Sequence, residues 1–271
     1  MSEGKYGLRF KSLIQSLGNN SGDFFTHLAS NGIEVCTFDQ RGWGQSVQAP
    51  KEKGRSGGTQ RVMQDITGFI KTQLPSTVPL FLMGHSMGGG ETLTYAAIGP
   101  SDVRSQLRGY IASAPLIQVA PRTKPWKITE MAGRLAVKVL PNMQMVQEVD
   151  AGLLTHNEKV NDEYRADDLC HNTGTLEGLE GMLDRGNNLH KGKVFPKEDV
   201  KPAGEQGLYV LSGSGDDVVD PQAIRDFVAK LDWKDQKFTE YEGWYHVLHR
   251  ESIEDAARIP KEVTEWILAR C

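Results

Sequence analysis

The sequence predicts one α/β domain built on a mostly parallel sheet with helices on both faces. Three observations carry this. Short apolar runs alternate with amphipathic segments of helical period along most of the chain. No linker rich in Pro, Gly or Ser and no charge block divides the 271 residues. A single core at that length buries roughly three quarters of the unfolded chain's surface. Finally, Gly84-His85-Ser86-Met87-Gly88 lies where a predicted strand gives way to a predicted helix. Strands joined through helices pair in parallel, and the helices then cover both faces.

Taken in order, Asp23 to Asn31 reads as a short helix with Phe24, Phe25 and Leu28 on one face, Asp23 able to cap it and Asn31-Gly32 to end it. Ile33 to Phe38 is a buried strand that runs into Asp39-Gln40-Arg41-Gly42-Trp43-Gly44, and Cys36 within it is a packing residue. Thr59 to Leu74 is an amphipathic helix, since Val62, Met63, Ile66, Phe69 and Ile70 recur with a 3.6-residue period and Pro75 follows. Pro79 to Met83 is a short strand apolar on both faces, and Met87 to Ile98 a helix with a glycine-rich start. Gly109 to Ser113, Gly207 to Leu211 and Lys237 to Tyr241 are further strands. Pro221 to Leu231 and Ala256 to Ala269 are further helices.

The segment from about 115 to 200 breaks the alternation. It is helix-rich and shows no convincing strand. Trp126, Ile128, Met131, Leu135, Val139 and Leu140 mark one apolar face. The segment reads as an insertion, a lid over the carboxyl edge of the sheet, where open α/β sheets bind ligands. Met131, Leu135 and Val139 are its candidate substrate-binding residues, as the lining of a tunnel for a long chain. The plain alternative is a stripe that only packs on the main body.

Composition narrows the function. The net charge is −4, and no basic patch or RNA-binding motif is present, which argues against nucleic acid. No stretch reaches the ~18 apolar residues of a membrane span, and Met1 to Gly18 has no apolar core of the signal-peptide kind. Three cysteines, Cys36, Cys170 and Cys271, are few and odd in number. They point to reduced thiols in the cytoplasm of a protein that is not secreted. No His/Cys spacing suggests a metal, and no cofactor motif is found.

Gly84-His85-Ser86-Met87-Gly88 has the form G-x-S-x-G in its informative context, strand before and helix after. The nucleophile of such a turn has strained backbone angles, and glycines two residues to either side remove the clashes. Ser86 is therefore the candidate nucleophile. The Met87 amide, free at a helix N-terminus, is the candidate oxyanion donor, and a second donor is not identified. A serine hydroxyl needs a base. His246 stands nearest the end of the last predicted strand, with His249 three residues on as a solvated or supporting residue. The acid is expected after the strand Gly207 to Leu211, in Ser212-Gly213-Ser214-Gly215-Asp216-Asp217-Val218-Val219-Asp220-Pro221. Asp216 is the choice there. Asp217 is read as solvated, and Asp220 as the N-cap of a helix with Pro221 at its first position. His85 is read as a packing residue pointing away from the base.

Several stretches together resemble the monoacylglycerol lipase family, particularly its fungal members, within the α/β-hydrolase superfamily (serine aminopeptidase S33-like, hydrolase-4 group). They are Phe38 to Ser46, Met83 to Gly90, Gly213 to Asp216 with Asp220, and Tyr241 to His249. The likeness runs from about Asp23 to the C-terminus. It implies an α/β-hydrolase fold with a helical lid, Ser86, Asp216 and His246 as catalytic triad, and no cofactor. The implied activity is cleavage of monoacylglycerol to fatty acid and glycerol through an acyl-enzyme. The implied setting is cytoplasmic, with peripheral contact at a membrane or lipid-droplet surface.

One stretch departs from that family. Its members carry His-Gly after an early strand, which gives the second oxyanion N–H, whereas Leu17-Gly18-Asn19-Asn20-Ser21-Gly22-Asp23 has none. Upstream, the alternation of Tyr6, Leu8 and Phe10 allows one strand where the fold ordinarily begins with three. The expectation is a sheet with incomplete N-terminal strands and fewer than the usual eight. It would carry an assembled triad, an oxyanion site served by Met87 alone unless the Gly18 to Gly22 turn supplies an N–H, and a low turnover. Another carboxylesterase or lysophospholipase, or a catalytically impaired lipid-binding relative, stays open on these residues.

Overall fold

A computed structural model describes residues 23–123, 135–199, 205–252 and 257–271, and the backbone of 8–13. Six strands form one parallel sheet: β1 (Leu8–Leu13), β2 (Ile33–Thr37), β3 (Leu80–His85), β4 (Gly109–Ser113), β7 (Gly207–Gly213) and β8 (Asp235–Tyr241), in the order β2-β1-β3-β4-β7-β8. It is the parallel sheet between helical layers that the sequence predicts. The strand allowed by Leu8 and Phe10 occupies an interior position, so β2 and β3 each find a backbone partner in β1. That place is not left open, so the backbone groups of β2 and β3 that face it are paired.

Burial follows from the strand period of two. On β3 all six residues are buried. Leu80 and Leu82 enter one core with Val62, Ile66 and Ile70 of α2 (Thr59–Lys71) and Ile224 and Phe227 of α7 (Pro221–Val228). Phe81 and Met83 enter the other with Phe24 and Leu28 of α1 (Phe24–Ser30) and Ile259, Val263 and Ile267 of α8 (Arg258–Leu268). A strand apolar on both faces is thus a strand between two helical layers. By contrast β2 is an edge, with Glu34 and Thr37 exposed and Cys36 half-buried, so the expected fully buried strand is corrected. Asp23 makes no side-chain cap bond to α1, and α2 ends at Lys71, short of Pro75.

The insertion divides into two parts. Its base is α6 (Leu176–His190), packed on α3 (Met87–Ile98). Arg185 of α6 meets Glu91 of α3 at 2.9 Å, with side chains 3% and 1% exposed. Gln40 donates to the same carboxylate oxygen at 3.0 Å. Burial pushes the Glu91 carboxyl up and the Arg185 guanidinium down from their ordinary values, each countered by the other's charge. Outside this base lie α5 (Glu158–Ala166) and two short antiparallel strands, β5 (Gln144–Val146) and β6 (Thr173–Thr175). Three residues per strand left no readable alternation, so the expectation of a strand-free insertion is corrected. Trp126, Ile128 and Met131 lie outside the described residues. Among the described residues no helix is long and apolar enough to cross a membrane, and no metal-ligand cluster occurs.

The Arg185–Glu91 pair makes a stability prediction. Arg185→Met leaves a buried carboxylate uncompensated and should cost about 3–5 kcal/mol in urea unfolding, while Arg185→Met with Glu91→Leu should recover most of that loss. Equal losses in the single and double variants would show that packing, not charge, fixes α6.

Candidate active site

Strand β3 turns into α3 at Ser86, whose φ of 56° and ψ of −121° are unusual for a residue with a side chain. The surroundings fix this conformation. The Ser86 N–H donates to the Ser113 carbonyl at 3.0 Å, and the Ser86 carbonyl accepts from Gly90 and Leu116 at 3.1 and 2.9 Å. A Cβ on Gly84 would stand 2.1 Å from the Gly88 carbonyl oxygen, one on Gly89 2.9 Å from Pro115 Cα, and one on Gly90 2.7 Å from the Leu116 oxygen. The glycines are therefore steric requirements of the turn. Ser86 Oγ is presented at the carboxyl edge of the sheet, with the Met87 N–H in the first turn of α3, where helices have no internal acceptor.

Two loops bring partners to that hydroxyl. His246 Nε2 is 2.8 Å from Ser86 Oγ, and His246 Nδ1 is 2.7 Å from Asp216 Oδ2. Both His246 and Asp216 are 3% exposed. The other carboxylate oxygen, Oδ1, accepts from the backbone N–H groups of Val218 and Val219 at 2.8 and 3.0 Å, which aims Oδ2 at the imidazole. The loops clasp one another: Gly215 N donates to the Trp244 carbonyl and Ser214 N to the Tyr241 carbonyl. A Cβ on Gly213 would lie 2.2 Å from the Trp244 oxygen. The structure thus draws Ser86, His246 and Asp216 into one hydrogen-bonded line. An acceptor at Nδ1 leaves Nε2 as the basic nitrogen facing the hydroxyl.

The neighbouring residues separate cleanly. Asp220 caps α7 by accepting from Gln222 N at 2.9 Å, and half-buried Asp217 pairs with Arg122 at 2.8 Å. His249 is buried, not solvated, and its ring lies 5.6 Å from that of Phe24. His85 does not point away: its ring centroid is 4.7 Å from that of His246. Leu135 and Val139 are 69% and 77% exposed, so neither lines an enclosed cavity. Leu140, Met143 and Val146 extend the exposed apolar set. Met131 and the Gly18 to Gly22 turn, the latter the candidate source of a second oxyanion donor, lie outside the described residues.

Comparison with known proteins gives the same picture. The Hydrolase_4 family (serine aminopeptidase, S33) matches residues 16–253. A putative monoglyceride lipase of Schizosaccharomyces pombe is 34% identical over 246 residues, 90% of this chain and 62% of that protein. The monoglyceride lipase of Saccharomyces cerevisiae is 31% identical over 252 residues, 89% of this chain and 77% of that protein. This chain therefore spans less than two thirds of the fission yeast relative's length. In fold, a soluble variant of the S. cerevisiae monoglyceride lipase, solved with a substrate analogue, superposes with a TM-score of 0.86 at 24% identity, covering 98% of this chain and 87% of that one. The monoacylglycerol lipase of Paleococcus ferrophilus gives 0.80 at 22%, covering 99% and 98%.

Burial of the histidines has a consequence for acid stability. Burial, with the nearby charges of Arg250 and His246, lowers His249 from 6.5 to about 4. The unfolded chain protonates this residue near its ordinary value and the folded chain resists, so its contribution is present above about pH 6.5 and is lost as pH falls toward 4. His249→Phe should flatten the pH dependence of the unfolding free energy in that window, measured by urea melts. An unchanged slope would mean that His249 is not held neutral by the fold.

Proposed function

The chain belongs to the Hydrolase_4 (serine aminopeptidase S33) family, and from that premise we propose that it is a serine esterase which cleaves monoacylglycerol to a fatty acid and glycerol. The observation that carries the reading is the continuous line Ser86 Oγ, His246 Nε2, His246 Nδ1, Asp216 Oδ2, with hydrogen bonds of 2.8 and 2.7 Å. The relatives' names supply the substrate class.

In this reading Ser86 Oγ attacks the ester carbonyl carbon as its proton passes to His246 Nε2. The Asp216 carboxylate, already oriented by two backbone N–H groups, stabilises the imidazolium without taking the proton. Charge on the carbonyl oxygen is met by the Met87 N–H, whose position at the start of α3 adds the helix dipole. The tetrahedral intermediate collapses, His246 protonates the departing glycerol oxygen, and the acyl group stays on Ser86. Water, deprotonated by His246, then attacks the acyl-enzyme, fatty acid leaves, and the serine regains its proton. No step needs a metal or an organic cofactor.

The insertion serves as the lid that meets the lipid. Its base is held to α3 by Arg185 and Glu91. Its rim carries Leu135, Val139, Leu140, Met143 and Val146, all exposed between 44% and 77%. Adjacent exposed apolar side chains on a water-soluble surface mark an interaction site, and for a monoacylglycerol substrate the partner is a membrane or droplet surface. Leu135 and Val139 thus contact lipid from outside instead of lining a closed tunnel.

Ser86→Ala should abolish hydrolysis of a monoacylglycerol and labelling by a fluorophosphonate probe, with circular dichroism and melting temperature unchanged. Loss of a triad serine typically costs on the order of 10⁶ in kcat, so activity above about a tenth of wild type would overturn the assignment. If the unaltered chain neither labels nor turns over, the reading as an impaired lipid-binding relative replaces it. Activity confined to soluble short esters or lysophospholipids would move the substrate class.

The lid reading is tested by Leu135→Asp with Val139→Asp. These should lower the rate on long-chain monoacylglycerol dispersions by roughly tenfold while a soluble short-chain ester is cleaved within about twofold of wild type, since a charge on a lipid-facing position opposes partitioning. Equal losses on both substrates would make the stripe a folding element.

A further inference from the structure

Three consecutive residues of the insertion bond the stretch that follows His246, and the chemistry above uses none of them. The Leu154 carbonyl accepts from Val247 N at 2.7 Å. Thr155 Oγ1 donates to the Arg250 carbonyl at 2.9 Å. His156 bonds Glu251 Oε1 twice, through its ring Nδ1 and through its backbone N–H, the latter at 3.4 Å. A fourth tie comes from α5, where Glu163 accepts from Arg250 Nη2 at 2.7 Å. Beneath these bonds Ala151 and Leu154 pack with Val247, and Val218 packs against the same cluster. Val218 also supplies one of the N–H groups that hold Asp216. The insertion therefore rests against a neighbour of His246 and a neighbour of Asp216.

Glu251 is the member of this junction that packing does not explain. It is 1% exposed, and a glutamate is seldom buried so deeply unless it is paired. Its Oε2 has no hydrogen-bond partner among the described residues, and both groups bonded to Oε1 belong to His156. An apolar side chain would fill the place without the desolvation that a carboxylate suffers there. The His156 side chain is half-exposed, so it closes the outer side of the carboxylate. His156 in turn sits on a fixed run of backbone. The Thr155 carbonyl accepts from buried Asn161 at 3.0 Å, and Thr155 Oγ1 accepts from Asn157 N at 3.1 Å. The carboxylate thus has one directional partner, and that partner belongs to the insertion.

We propose that His156 and Glu251 are positioning residues for His246. Their bond locks residues 247–251 onto the insertion and so fixes the imidazole against Ser86 and Asp216. An imidazole on a loop needs such a lock, because small displacements of a catalytic group are costly in rate. The insertion then serves the cleavage of any ester, lipid or soluble, through the base itself. This inference rests on His246 being the base.

The test separates the bond from the ring contact that His156 also makes with Tyr245. His156→Phe keeps a ring there and loses the donor to Glu251. His156→Asn loses the ring and puts an amide N–H at the place of Nδ1. On a soluble short-chain ester, His156→Phe should lower kcat by roughly tenfold with KM within about twofold of wild type. His156→Asn should recover most of that loss. The same fall is expected on a monoacylglycerol dispersion, in contrast to the substitutions at Leu135 and Val139. Adding Glu251→Gln to His156→Phe should cost little more than the worse of the two single changes, since they remove one interaction. Wild-type kcat in His156→Phe, equal losses in Phe and Asn, or a loss confined to the dispersion would overturn the proposal, as would additive losses in the double variant. Should His156→Phe fail to melt cooperatively, His156→Asn against His156→Gln decides, because glutamine carries its N–H one bond farther out. Asn is expected to be the more active, and equal rates overturn the proposal. Failure of the underlying reading is distinct, because it would appear as retained activity in His246→Ala.

Discussion

Everything in this molecule's site depends on the backbone strain at Ser86. A non-glycine residue at φ 56° and ψ −121° persists only where its surroundings leave no alternative. Here the restraints act on both sides of the serine. The Ser113 carbonyl holds its N–H, Gly90 and Leu116 hold its carbonyl, and Gly84, Gly89 and Gly90 allow approaches that no Cβ could survive. The sheet interior makes this possible. Strand β3 is buried on both faces and paired on both edges, so the elbow is anchored in the interior of the sheet.

The other two members of the line are on loops, and loops by themselves place side chains poorly. Mutual clasping of the loops after β7 and β8 answers this. Gly213 and Gly215 sit against the backbone of Trp244 and Gly243, and Asp216 is locked by the two valine amides that follow it. A third tie comes from the insertion, whose Leu154 carbonyl accepts the Val247 N–H, one residue past His246. His246 is thus braced by the insertion as well as by the core, so the insertion is mechanically joined to the residue that meets Ser86.

Legibility in the sequence followed the number of residues that state a feature. β3, α3 and the elbow are each written over five or more positions, and they were readable to within two residues. His246 and Asp216 were chosen by closeness to a strand end, the same geometry that brings them to Ser86 here. Asp220 was separable from Asp216 because a following proline marks a helix cap. Features decided by tertiary neighbours were not readable. The edge position of β2 depends on where β1 inserts, and β5 and β6 are too short for a period. His85 was misjudged because its residue number says nothing of the ring that comes to lie against it from position 246. Leu135 and Val139 read as buried because an apolar stripe looks the same whether it faces a core or a lipid.

That last ambiguity bears on how the insertion works. In the lid proposed above, the insertion must be fixed enough to keep its register over the site, yet it must leave apolar groups in water when no lipid is present. These demands conflict within one element, and the structure assigns them to different ones. The buried Arg185–Glu91–Gln40 cluster gives α6 a directional bond to α3, which apolar packing alone would not specify. The exposed residues from Leu135 to Val146 lie on a separate stretch tied down by polar contacts. Arg55 Nε donates to Asn142, and Gln144 donates to the Pro50 and Lys53 carbonyls. Polar ties at the margin hold the rim in place without burying its apolar side chains, which keeps that surface available. The contrast between a charged anchor inside and an apolar rim outside inverts the usual arrangement of a globular protein, and it suits the lid at a lipid surface proposed above.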